Sequence, residues 1–192
     1  MIAAISLVAC SESNEEKAEK LIKKEMNKIL VNIDSYEPIV TNLDTAYAPL
    51  MTADMFDFMN SLPNKIELYA KLQEDIKDAE RKMDIFQSVS QIEYNQYKEQ
   101  YESSYKRFKD LEAELTKKNQ EVEAKAKEEK VFNGFLAGHK YRYVTKDGEK
   151  TIGQLLFLIN KDFTSIDAMM DLEDEKMQSI FELYNINITS GK

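Results

Sequence analysis

Residues 69–122 read YAKLQEDIKDAERKMDIFQSVSQIEYNQYKEQYESSYKRFKDLEAELTKKNQEV, and how this stretch closes on itself decides the fold. Tyr69, Leu72, Ile76, Ala79, Met83 and Phe86 alternate by three and four residues. Tyr94, Tyr97, Tyr101, Ser104, Phe108, Leu111, Leu115, Lys118 and Val122 do the same. That spacing puts its members on one narrow helix face, the seam of a coiled coil. The two series are out of phase, so the seam breaks between Phe86 and Tyr94. One uninterrupted helix would leave no continuous face to bury. An antiparallel hairpin folded about Ser90 sets Phe86 opposite Tyr94, Met83 opposite Tyr97, Ala79 opposite Tyr101 and Ile76 opposite Ser104. Small residues then face large ones, as close packing requires. The register continues to Leu62 with Lys118 and Phe58 with Val122. Each arm reaches about 36 residues, roughly 54 Å at 1.5 Å per residue. The helical part is expected over 52–129, with Thr52 as N-cap and Pro63, locally capped by Ser61, as a pause or kink.

Working outward, Ala18, Leu21, Ile22, Met26, Ile29 and Leu30 mark one apolar face of a helix over 14–31. Ser13 or Asn14 can cap it. Tyr36 to Thr41 reads as a short strand, and Pro38 confines it to a sheet edge. Beyond the hairpin, 131–144 and 151–159 read as strands. Asp147-Gly148 between them predicts a two-residue turn. That turn pairs Tyr143 with Ile152, Tyr141 with Gln154 and His139 with Leu156 on one face, and Arg142 with Gly153 and Gly138 with Phe157 on the other. Residues 161–166 read as a connector and 171–185 as a last helix. The expected fold is α+β. A small antiparallel three-stranded sheet packs with the N-terminal helix and carries the inserted helical hairpin and a C-terminal helix. The expected division is a leader at 1–9, an α+β domain at 10–51 and 130–192, and the hairpin at 52–129.

Composition narrows the partners. The 192 residues carry a net charge of −9, and 32% are charged. Such a surface repels phosphate backbones, and no basic stripe interleaved with aromatics is present, so nucleic acid is not an expected partner. Anionic lipid is not attracted either. Membrane contact therefore needs a hydrophobic device.

Met1 to Ala9, MIAAISLVA, is uncharged and precedes Cys10, the only cysteine. Nine residues are too few to span a bilayer, which takes about 20, but they suit the apolar region of a secretory signal. Leu7-Val8-Ala9-Cys10 resembles the lipobox of bacterial lipoproteins. That resemblance implies cleavage before Cys10, diacylglycerol on its thiol and acylation of the new amino group, which together anchor stably. The competing reading is a free cysteine after a chance apolar run. Such leaders normally open on Lys or Arg, and the missing cation fits a start upstream of Met1. Ser11-Glu12-Ser13-Asn14-Glu15-Glu16 resembles the acidic export tags of surface lipoproteins, and equally suits the first turn of a helix.

The segments Asp34-Ser35-Tyr36-Glu37-Pro38, Gly138-His139-Lys140-Tyr141-Arg142 and Leu156 to Phe163 resemble cell-envelope lipoproteins of Bacteroides-type bacteria. The likeness covers roughly a third of the chain. It implies a small helix-on-sheet domain and an envelope location, outer membrane first, and it implies no activity.

Residues with chemistry are few. His139 is the only histidine. It suits a general base by its ordinary pKa, yet it alternates with Phe135, Ala137, Tyr141 and Tyr143, which places it on an aromatic strand face as a hydrogen-bonded core residue. With one histidine and an acylated Cys10, no metal site of nitrogen and sulfur ligands is expected. Asp171, Glu173, Asp174 and Glu175 lack calcium-loop spacing and suit a helix start. No phosphate-binding glycine loop or nucleophile elbow occurs, and no cofactor is expected. Tyr94, Tyr97, Tyr101 and Tyr105 form a stripe that could grip a protein or glycan. The first three also fill the seam, and Tyr105 falls just outside it. The expected role is a lipid-anchored, non-catalytic binding or spacer module held to the membrane through Cys10. The alternative is a periplasmic holdase-type chaperone using the hairpin, by fold-level likeness to prefoldin-like holdases, which are basic where this chain is acidic. A third is an enzyme on glycans or peptidoglycan using His139.

Overall fold

The structure, a computed structural model, describes residues 12–172. It divides into two compact units, Asp57–Lys130 and the rest of the described chain.

Helix α1 runs Asn14–Ile29. Ser13 caps it reciprocally. The Glu16 amide donates to Ser13 Oγ at 3.2 Å, and the Ser13 amide donates to the Glu16 carboxylate at 2.9 Å. Ala18, Ile22 and Met26 are buried at intervals of four, one stripe down the helix. They lie against Ala137, Tyr141, Leu155, Phe157 and Ile159 of the sheet. Fully burying a side chain of Ile or Met size stabilises by roughly 1.5–3 kcal/mol, so this stripe holds α1 down.

The sheet has four antiparallel strands, not three, in the order β1-β2-β3-β4. They span Glu37–Ala48, Val131–Val144, Lys150–Asn160 and Ile166–Asp171. Strand β1 is an edge, as Pro38 requires, but it is 12 residues long and runs well past Thr41. Its ladder with β2 slips at Ile39, next to Pro38. Strand β4 starts at the last residue of the expected connector, fills 167–170, to which the sequence assigned no element, and ends at the first residue of the expected C-terminal helix. Asp and Ala are poor strand formers and 166–171 has only Ile166 as a β-branched residue, so its strand signature is weak; pairing with the open edge of β3 supplies the structure. The remainder of that helix, 173–185, lies outside the described residues.

The β2–β3 register is also corrected, by one residue. Tyr143 pairs with Thr151, Tyr141 with Gly153, His139 with Leu155, Arg142 with Ile152 and Gly138 with Leu156. The turn is the cause. The Thr145 amide donates to the Glu149 carbonyl at 2.9 Å and the Gly148 amide donates to the Thr145 carbonyl at 3.0 Å. Gly148 has φ +85°. The loop is thus three residues, Lys146-Asp147-Gly148, with glycine at the left-handed position. A one-residue slip moves every β3 side chain to the other face. Leu155, Phe157 and Ile159 therefore face α1, and Gly153 lies beneath the Tyr141 ring. A Cβ there would sit 2.3 Å from Tyr141 Cζ.

In the second unit, α2 (Ala53–Phe86) and α3 (Gln91–Lys125) are the hairpin arms. Thr52 does not cap α2; its hydroxyl is buried without a hydrogen-bond partner among the described residues. Pro63 lies inside α2 without ending it. Ser61 caps nothing there, since its hydroxyl donates to the Phe58 carbonyl at 2.7 Å. Ser90 caps α3, accepting from the Glu93 amide at 3.4 Å. Both heptad series are buried or half-buried at every position. Tyr69 meets Phe108 at 4.7 Å between ring centroids and Phe86 stacks on Tyr97 at 5.5 Å. Lys65 pairs with Glu114 across the arms. Each contact falls within one turn of the expected register.

Candidate functional site

In the α+β unit, chemistry concentrates around His139, which is 1% exposed. The alternation of β2 turns it toward the α1-covered face. Its Nε2 lies 2.8 Å from the Tyr36 hydroxyl and its Nδ1 2.9 Å from Thr41 Oγ1. A neutral imidazole has one donor and one acceptor nitrogen, and two hydroxyls satisfy either tautomer. The ring stacks on Tyr141 at 5.6 Å and 10°. Tyr36 and Thr41 flank the start of β1, so the histidine ties that edge to β2.

Burial lowers the His139 pKa from 6.5 to about 4. Burial raises that of Tyr36 to about 12, and the nearby Glu19 carboxylate adds to the effect. The network is neutral through the physiological range. It can pass a hydrogen bond but neither stores nor supplies a proton near pH 7. Above it lies a groove of about 1000 Å³ between α1 and the start of β1. Glu19, Lys23, Asp34, Tyr36, Thr41 and His139 itself are among the residues that line it. Among the described residues, no three of His, Cys, Asp and Glu converge as metal ligands would. Asp171 ends β4, while Glu173, Asp174, Glu175 and Cys10 lie outside the described residues.

In the hairpin, the tyrosine stripe is divided. Tyr94, Tyr97 and Tyr101 are half-buried in the seam, and Lys82 Nζ lies 5.1 Å from the Tyr97 ring centroid. Tyr105 is 43% exposed and stacks on Tyr101 at 5.7 Å and 11°. Within the hairpin the most exposed apolar side chains are elsewhere, at the turn joining the arms; in the α+β unit Val31 is 75% and Val131 61% exposed. Ile85 is 56%, Val89 73% and Ile92 83% exposed. The sequence carried a signal for this end. Residues 85–92, IFQSVSQI, hold no charge in a chain that is 32% charged. The heptad spacing does not mark it, because Ile85, Val89 and Ile92 belong to neither series.

No helix among the described residues is long and apolar enough to cross a membrane. Compared with family models, curated proteins and solved structures, the chain matches none.

Proposed function

We propose that this protein is a lipid-anchored, non-catalytic module of the bacterial cell envelope, held by an acylated Cys10 and making contacts through the end of its helical hairpin. The observation that carries the contact role is the exposure of Val89 and Ile92, at 73% and 83%, within an uncharged turn. Ile85, Val89 and Ile92 stand in water together within eight uncharged residues, and such an apolar cluster suits a partner surface. The non-catalytic reading draws on His139, whose two ring nitrogens are both engaged and whose pKa lies well below neutrality. The anchor draws on Leu7-Val8-Ala9-Cys10 and on the likeness to Bacteroides-type lipoproteins.

Two measurements test it. The mass of the native chain should show diacylglycerol on Cys10 and loss of 1–9, and Cys10→Ser should release the protein from the membrane fraction. An unmodified sulfur defeats the anchor. Photocrosslinkers at Val89 and at Tyr105 should differ, with contacts made from Val89; equal silence from both defeats the contact role. The exposed aliphatic end also favours a second reading, a holdase. Suppression of aggregation that vanishes in Val89→Ser with Ile92→Ser would promote it.

A further inference from the structure

We propose that the hairpin end is a wedge that inserts into the headgroup layer of a neutral, zwitterionic bilayer. The inference rests on the contact role given above to this end, and supplies the chemistry of what it contacts. The eight residues Ile85 to Ile92 carry no charge, and Asp84 and Glu93 bracket them. Entering a bilayer exacts the largest penalty from charge, and the turn joining the two arms carries none. The bracketing carboxylates repel anionic headgroups, which selects neutral lipid.

Area separates a bilayer from a protein partner. Two helix ends, each about 10–12 Å across, present roughly 200 Å² end-on. A stable protein complex uses about 800 Å² from each side. A convex end of that size cannot supply such an interface by itself. A bilayer sets no such minimum; it requires apolar side chains on a narrow, uncharged projection. Ile85, Val89 and Ile92 meet that requirement, at 56%, 73% and 83% exposure.

The test uses the full chain with Cys10→Ser, which removes lipid from the question, and vesicles of phosphatidylcholine. The single thiol is then rebuilt at the turn as Ser88→Cys and labelled with an environment-sensitive fluorophore. The chain should float with the vesicles, and the label should shift to the blue and be quenched by lipid brominated in the acyl chains. Val89→Ser with Ile92→Ser should lower partitioning at least tenfold and abolish quenching while leaving helical circular dichroism unchanged. A label that stays unquenched in the presence of vesicles overturns the proposal, as does flotation that the double substitution leaves unchanged, which would assign binding to residues 1–9. A label that shifts only on adding another protein, and not with vesicles, overturns it in favour of a protein partner. None of these outcomes bears on acylation of Cys10, which the mass measurement decides separately.

Discussion

The hairpin and the sheet are built from the same kinds of side chain but specify themselves differently. In the hairpin, each arm repeats one spacing, and the partner of any seam residue follows from its distance to the turn. Surface pairs such as Lys82 with Asp78 at 2.6 Å and Lys118 with Glu121 at 2.8 Å contribute little each. Buried seam residues such as Leu72, Ala79 and Leu111 hold it together. In the sheet, position depends on a few single residues, among them Gly134, Gly148, Gly153 and His139. A repetitive structure spreads its specificity, whereas a sheet concentrates it.

Four experiments break or sharpen that contrast. The largest effect is expected at Gly134. Its φ is +151°, and an added Cβ would lie 2.2 Å from the Ile159 carbonyl oxygen. Gly134→Ala should cost about 3–4 kcal/mol in chemical denaturation. A cost under about 1 kcal/mol would show that the sheet spreads its specificity too.

Next comes acid. His139 binds its proton less readily folded, at about 4, than unfolded, near 6.5. The unfolded state therefore takes up the proton first as pH falls. This contribution is complete above pH 6.5 and is lost between 6.5 and 4, by about 3 kcal/mol in all. Because the chain has one histidine, its imidazole NMR signal reads the pKa directly. A midpoint near 6.5 would contradict the buried, neutral network.

In the hairpin, Leu72 is 1% exposed. Leu72→Ala should cost about 2–3 kcal/mol. Hydrogen exchange should show the loss in α2 and α3, with β2 and β3 still protected. Loss spread evenly over both units would erase the distinction between them. Smallest is Ser13→Ala, which removes the cap on α1 and should lower stability by about 1 kcal/mol, read as a small drop in melting temperature.

Legibility in the sequence followed the same division. Both seams and the break between Phe86 and Tyr94 could be read directly, because a helical face repeats locally. Strand β2 was readable from its alternation, and the inward placement of His139 with it. Strand β4 was not, since only Ile166 in it is β-branched and pairing with the edge of β3 supplies its structure. The β2–β3 register was missed by one residue because Asp147-Gly148 serves two- and three-residue loops alike. Of the tyrosine stripe, Tyr105 falls just outside the seam spacing, and the structure exposes it. Val89 and Ile92 belong to neither heptad series, so the spacing that marks the seam carries no signal for them.

The sequence alone determined the two helical arms, their antiparallel closure and the sheet-edge position of Pro38. Each follows from spacing within one segment or from a single residue's covalent geometry. Only the tertiary structure decided the fourth strand, the face to which Leu155, Phe157 and Ile159 turn, and the hydroxyls that flank His139. Those depend on pairings between residues far apart in the chain: Tyr36 and His139 are 103 positions from each other. No local pattern encodes which distant hydroxyl will satisfy a buried nitrogen, because that choice is made by packing.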